Sequence, residues 1–174
     1  MEFQDYKKYK WFFTSSGKLV VGGKSAEQND ELLKKMKNFE RDFVVMHTES
    51  PGSPFSIIFS EIKDISKADK EECAVFTASF SKAWKQKKKK AVVNSFRFSQ
   101  IYKTGGMKTG TWGLSGKVER IEAPLKLILT EQKSVLRAVP EKAITNKKNA
   151  FFVILPGKIE KGAILPKIEL ELKD

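Results

Sequence analysis

A short segment near the N-terminus combines residue types that bind phosphate. Gly22, Gly23, Lys24 and Ser25 lie between a predicted strand and a predicted helix, where free backbone N–H groups meet a lysine. A P-loop requires the spacing G-x4-G-K-[ST], and here the upstream Gly17 is one residue too distant. The spacing argues against an NTPase. The segment predicts either a site for one phosphate or a turn before a capped helix.

The only histidine of the chain, His47, follows an apolar segment and is followed by Glu49, with Ser50 and Ser53 nearby. A histidine beside a carboxylate and a hydroxyl can act as a general base, so a hydrolase or transferase is one hypothesis. The other is that His47 forms a hydrogen bond at a strand end and orders the Pro-rich loop 48–54. The second is favoured, because no nucleophile is paired with His47 by spacing.

The positive charge of the chain is concentrated in its middle third. The 174 residues contain 33 Lys or Arg and 21 Asp or Glu, a net charge of +12. The window from Lys82 to Arg120 contains 11 basic residues and one acid, Glu119, and so carries +10. Such a field attracts polyanions, since phosphate contacts release counterions. With only four Arg in the chain, we expect recognition of backbone and shape rather than of base edges.

Aromatic residues are interleaved with these cations. Trp84, Phe96, Phe98, Tyr102 and Trp112 all lie between Lys82 and Lys117. Aromatic faces stack on unpaired bases while neighbouring cations follow the phosphates, which is typical of single-stranded nucleic-acid surfaces. The alternative is that most of these aromatics are core residues. Trp84, and Phe96 or Phe98, are predicted in the core.

Composition excludes several classes of protein. Apolar residues form 40% of the chain and include 13 Phe, which is enough for a folded core. One Cys, Cys73, excludes a disulfide framework, and with one His it excludes a Cys/His zinc site. No apolar run reaches the roughly 18 residues of a membrane span, and no secretory signal is evident. We expect a cytoplasmic protein without cofactor or metal.

Strands and helices alternate without a regular βαβ rhythm, so the predicted class is α+β: a mixed, mainly antiparallel β-sheet with two principal α-helices. The first helix begins at Ser25, with Gln28 completing a capping box, and the second runs from Ser66 to about Trp84. The segment 162–174 is ambiguous, because Pro166 interrupts a strand-like alternation. Strands are predicted at 11–14, 19–21, 43–47, 55–59, 92–93, 96–98, 111–115, 125–130, 135–139 and 151–155.

Four blocks of sequence, in order, resemble the NFACT-R domain family. An aromatic pair, a Ser-x-Gly turn and a Gly-Gly-Lys step open the chain, and Asn29 falls where the family has an Asn in the following helix. The other blocks are a strand-end His with a Gly-Ser loop, a Ser-basic-Ala-Trp segment, and a Gln-Ile-Tyr-Lys segment with a Gly-rich stretch. The matching segments are 11–24, 47–54, 81–85, and 100–103 with 105–116.

The resemblance implies a module that binds nucleic acid, chiefly RNA. Larger relatives of the RqcH/NEMF type act in ribosome-associated quality control, where they bind the large ribosomal subunit together with tRNA and extend stalled chains. This chain has no room for their N-terminal region, helix-hairpin-helix or coiled coil, so we expect a stand-alone version without tail-extending activity. The expected division is a nucleic-acid-binding core over 1–122 and a β-rich extension packed on it over 123–174.

The resulting prediction is a non-catalytic protein that binds rRNA or tRNA, with the large ribosomal subunit as a further expected partner. Two alternatives stay open: the hydrolase or transferase that uses His47, and an adaptor that binds DNA or an anionic membrane. The residues expected to contact nucleic acid are Lys24, His47, Lys82, Lys85, Lys87, Lys88, Lys89, Lys90, Arg97, Tyr102, Lys103, Lys108 and Trp112.

Overall fold

Alternating apolar side chains give the central sheet a core on each face. In this computed structural model, which describes residues 2–157, neighbouring strand residues such as Trp11 and Phe12 belong to different cores. Helix α1 (Ala26–Met36) covers the face of Trp11, and helix α2 (Lys67–Ser79) covers the face of Phe12. The elements are α1 (Ala26–Met36), α2 (Lys67–Ser79), β1 (Lys10–Phe13), β2 (Leu19–Gly22), β3 (Val44–Thr48), β4 (Ser56–Phe59), β5 (Lys90–Arg97), β6 (Ile101–Tyr102), β7 (Gly113–Leu114), β8 (Glu119–Pro124), β9 (Leu127–Gln132), β10 (Val135–Val139) and β11 (Phe152–Ile154).

The strands form antiparallel sheets, so the predicted α+β class is confirmed. The central six-stranded sheet has the order β1-β2-β4-β3-β5-β8, and all its neighbouring strands are antiparallel. A second sheet, β10-β9-β11, contributes Leu127 and Leu129 to the α2 core. Strands β6 and β7 form a short ribbon beside α1. Within the described part of the chain, no helix is long and apolar enough to cross a membrane.

The second sheet is joined to β1 by side chains that bond to its backbone. The amide of Gln132 accepts from the Phe13 N–H at 2.8 Å and donates to its carbonyl at 2.9 Å. Arg137 donates to the Trp11 carbonyl at 2.9 Å, and its guanidinium lies 4.2 Å from the centre of the Trp11 ring. These contacts fix the second sheet against the edge of the first.

Several predicted boundaries are wrong. Helix α2 ends at Ser79 and not near Trp84, because the Ser81 hydroxyl bonds to the Ala78 carbonyl and the Lys82 N–H bonds to Gly52, outside the helix. The side chain of Gln28 caps the N–H of Lys24 and not that of Ser25, although Ser25 does cap α1. The predicted strands 92–93 and 96–98 are one strand, β5, while β6 and β8 were not predicted. Segment 162–174 lies outside the described residues.

Candidate functional site

Three loops meet at the N-terminal end of α1 and enclose a cleft of about 630 Å³. They are the segment 22–25 before α1, the loop 48–55 between β3 and β4, and the Gly-rich loop 103–112 between β6 and β7. Strand β3 contributes His47 near its end and β5 contributes Asn94 from its middle, and the two residues face each other across the antiparallel pair. The cleft therefore brings together segments far apart in sequence, and two helix residues hold its walls.

Asn29 joins α1 to the loop between β3 and β4. Its Oδ1 accepts from the Phe55 N–H at 3.0 Å, and its Nδ2 donates to the Ser53 carbonyl at 3.4 Å. Gly23 lies directly against Asn29, and a Cβ at that position would overlap Oδ1 of Asn29. The Gly-Gly step thus allows the close approach by which Asn29 positions loop 48–55.

Asp30 holds the Gly-rich loop. Its Oδ1 accepts from the Gly110 N–H at 3.0 Å and from Nε1 of Trp112 at 2.8 Å, and its Oδ2 lies 3.4 Å from Nζ of Lys103. Gly110, with a φ of +79°, packs against Ala26 in the first turn of α1. Trp112 and Gly110 thereby form one wall of the cleft.

His47 is held in one orientation by its surroundings. Its Nδ1 lies 2.7 Å from the Thr48 carbonyl, to which only a protonated nitrogen can donate, and its ring packs on Phe55 with centroids 4.4 Å apart. Burial lowers the pKa of His47, which keeps the imidazole neutral at pH 7. Nε2 is therefore an acceptor beside the cleft. Ser53 donates to the Pro54 carbonyl and accepts from the Thr48 N–H, so it is not paired with His47.

Asn94 lies opposite His47 and lines the same cleft. Its Oδ1 is buried and has no hydrogen-bond partner among the described residues. Most buried polar groups in proteins are hydrogen-bonded, so an unpartnered amide beside a cleft calls for an explanation.

Three lysines line the cleft: Lys10, Lys24 and Lys82. Within the described residues none of the three forms an ion pair with a carboxylate. Burial, with repulsion from Lys24 and Arg137, lowers the pKa of Lys10 to about 8. Nζ of Lys10 lies 4.2 Å from the centre of the Phe80 ring. Three lysines that share one cleft and have no carboxylate partner among residues 2–157 form a site that attracts an external anion.

Lys82 lies where three depressions of the surface meet. It lines the cleft, an adjoining groove of about 930 Å³ that also contains Arg137 and Lys85, and a hollow of about 280 Å³ that contains Lys88 and Lys90. Its aliphatic chain packs over Gly52, and its N–H donates to the Gly52 carbonyl at 2.9 Å. We call these three connected depressions the Lys82 groove.

The predicted contact residues fall into two sets. Lys24, His47, Lys82 and Trp112 line the cleft, and Lys85, Lys88 and Lys90 line the branches of the Lys82 groove. Those that line none of the three depressions are Lys87, Lys89, Arg97, Tyr102, Lys103 and Lys108.

Some of these predicted residues differ in their neighbours and in their exposure to solvent. Lys90 pairs with Glu122 at 2.8 Å. Lys103 is held by Asp30 and by two loop carbonyls at 2.6 and 2.7 Å, so its charge is compensated locally. Tyr102 is 48% exposed, with its ring against Gly113. The role of all these residues in RNA contact remains a prediction.

Sequence reasoning missed Lys10, Asn94 and Arg137. Lys10 precedes the aromatic pair of β1, and Asn94 interrupts the apolar pattern of β5, which was a detectable signal. Arg137 lies outside the basic window. Among residues 2–157 no cluster of His, Cys, Asp and Glu suited to a metal ion occurs.

Comparison with known sequences relates this chain to RNA-binding domains. The family model described as "NFACT protein RNA binding domain" matches residues 8–116. The archaeal Rqc2 homolog aRqcH of Methanocaldococcus jannaschii is 28% identical over 178 aligned positions, which cover 97% of this chain and 26% of that protein. The ribosome quality control complex subunit NEMF homolog of Drosophila melanogaster is 30% identical over 119 positions, covering 64% of this chain and 12% of that protein.

A solved structure supports the fold. The C-terminal part of the fibronectin/fibrinogen-binding protein from Streptococcus suis superposes with a TM-score of 0.59 at 23% identity, covering 67% of this chain and 46% of that one. This likeness concerns the fold alone. The chain spans about a quarter and about an eighth of the length of the two curated relatives it matches.

Proposed function

This chain belongs to the NFACT protein RNA binding domain family, and on that premise we propose that it binds structured RNA, ribosomal or transfer, along the Lys82 groove. The proposal includes a role in ribosome-associated quality control, with the large ribosomal subunit as a partner, and a cytoplasmic location. The names of the two curated relatives support the pathway.

The observation that carries the proposal is a set of three lysines that share one cleft and have no acidic partner in the described part of the chain. Lys10, Lys24 and Lys82 come from β1, the turn before α1 and the turn after α2, and they line one cleft. Glu49, which also lines this cleft, pairs with Arg120 at 3.0 Å, so the three lysines have no carboxylate partner within residues 2–157. A sugar-phosphate chain supplies the missing negative charges at a spacing that several lysines can follow.

The proposed role is binding without catalysis. His47 donates from Nδ1 to a backbone carbonyl and has no hydroxyl partner among the described residues, which disfavours the hydrolase hypothesis. Lysines outnumber arginines throughout the groove, which favours contacts to phosphate over readout of paired bases.

We also propose that residues 1–122 are the RNA-binding core and residues 123–174 an extension. The family match, which ends at residue 116, supports this division. The described part of the extension packs on β1 through Gln132 and Arg137.

The test is a titration of fluorescently labelled transfer RNA and of a ribosomal RNA fragment at several salt concentrations, followed by anisotropy. The double variant Lys24→Gln/Lys82→Gln is expected to lower the affinity and to reduce the slope of log K against log salt by about 2, one unit for each lost phosphate contact. The control Lys34→Gln/Lys63→Gln removes the same charge from exposed positions outside the groove and should leave the slope unchanged.

Two further ligands complete the test. Duplex DNA and anionic vesicles are titrated under the same conditions, because a basic groove also attracts these polyanions. Stronger binding to either than to RNA would contradict the proposal. So would an equal loss of RNA affinity in both double variants, since the net charge alone would then explain binding.

A further inference from the structure

Resting on the proposed RNA binding, we infer that the cleft beside the three lysines accepts one unpaired nucleobase, which Asn94 and His47 contact at its hydrogen-bonding edge. The backbone of the same RNA then continues over Lys24 and Lys82. Binding would therefore favour RNA with an unpaired nucleotide beside a helical segment over a continuous duplex.

The size and walls of the cleft suit a base. Its volume of about 630 Å³ falls within the usual range of small-molecule sites, roughly 300–1,000 Å³. Its lining includes the aromatic residues Phe55, Phe96 and Trp112. A flat apolar ring is stabilised by such surfaces, whereas a phosphate or a ribose alone is not.

The polar groups of the cleft match a base edge better than a phosphate. Nε2 of His47 is an acceptor, because Nδ1 donates to the Thr48 carbonyl. Oδ1 of Asn94 has no hydrogen-bond partner among the described residues, and rotation about the Cβ–Cγ bond turns either the oxygen or the NH₂ group toward the cleft. The edge of every base carries donors and acceptors side by side, while a phosphate carries only acceptors.

The lysines lie where the backbone of such a nucleotide must leave the cleft. Lys24 and Lys82 line both the cleft and the adjoining groove, so they occupy the boundary between the two. The base would fill the inner part, and the phosphates would follow this boundary.

The experiment uses three RNAs of the same stem sequence: a blunt duplex, a duplex with a one-nucleotide 3′ overhang, and the same overhang with an abasic sugar. Affinities are measured by anisotropy for the wild-type chain, for Asn94→Leu and for the control Asn38→Leu, whose exposed position follows α1. Leu has the same branched skeleton of side-chain heavy atoms as Asn and lacks both hydrogen-bonding groups. Unfolding in urea checks that each variant is folded.

We expect the wild-type chain to bind the overhang about tenfold more tightly than the blunt or abasic RNA, the equivalent of one or two hydrogen bonds. Asn94→Leu should lose this preference and keep the affinity for the blunt duplex, while Asn38→Leu keeps both.

Equal binding of all three RNAs by the wild-type chain would overturn the base site and leave the proposed RNA binding intact. An unchanged overhang preference in Asn94→Leu would do the same. Failure to bind any of the RNAs would overturn both proposals.

Discussion

Replacement of Asp30 by alanine should destabilise the protein strongly, because this carboxylate holds one wall of the cleft. The side chain is 12% exposed and accepts from the Gly110 N–H and from Nε1 of Trp112. Hydrogen bonds to charged groups contribute about 1.5–3 kcal/mol each, which gives about 3–6 kcal/mol for the pair. Lys103 keeps its two carbonyl partners, so its charge is not left without contacts and adds little to this sum.

The assay is urea unfolding followed by tryptophan fluorescence. Asp30→Asn retains one acceptor and loses the charge, so it should cost less than Asp30→Ala, about 1–2 kcal/mol. Glu27→Ala is the control: Glu27 is exposed in the first turn of the same helix, where an acid contributes at most about 1 kcal/mol. A loss below about 1 kcal/mol for Asp30→Ala would refute the assignment of Asp30 as the residue that holds the loop.

Three other perturbations have defined outcomes. Gly23→Ala places a Cβ onto Oδ1 of Asn29 and should lower the free energy of unfolding, measured by urea titration, by about 1–3 kcal/mol. An unchanged urea midpoint would contradict the close approach of Gly23 to Asn29. RNA affinity should fall as the pH rises from 7 to 9, because Lys10 loses its charge: burial and neighbouring cations lower its pKa to about 8. Lys10→Arg should abolish this pH dependence of the affinity. An equal pH dependence in the wild-type chain and in Lys10→Arg would exclude Lys10 as its source. For buried Asp69, burial alone would raise the pKa, but hydrogen bonds from Ser16 and Ser66 hold it well below its usual range. The contribution of Asp69 to stability is therefore complete above the pKa that Asp69 has in the unfolded chain, about 4. It is lost as the pH falls from there toward the lower pKa of Asp69 in the folded protein. Asp69→Asn should flatten urea midpoints measured from pH 6 to pH 3, and a parallel pH profile would contradict this.

The α+β class and much of the strand pattern could be predicted from the sequence because local periodicity determines them. The apolar residues of β1, β2, β3 and β4 alternate between two cores, and a polar segment separates the two apolar runs that form the hairpin of β9 and β10. Helix α2 was predicted too long, because its end depends on a bond from the Lys82 N–H to Gly52, which no local pattern records.

The site was predictable in part. The Gly-Gly-Lys step and His47 could be selected by residue type, and both line the cleft. Lys103 could not be distinguished from Lys82 by sequence, because only the tertiary structure places Asp30 beside the former. Lys10 and Arg137 were missed since they lie outside the basic window, and folding brings Arg137 and Lys24 close to Lys10. Charge counting locates the basic segment but not the acids that compensate it.

The central claim is that RNA lies along one connected surface with Lys82 at its centre. Ultraviolet cross-linking of the bound RNA to the wild-type chain, followed by mass spectrometry of the modified peptides, tests it most directly. Cross-links are expected in the peptides that contain His47, Lys82 and Trp112, because these line the cleft. Cross-links confined to the outer face of α2 or to the segment around the exposed Lys63, which lies outside the groove, would contradict the claim.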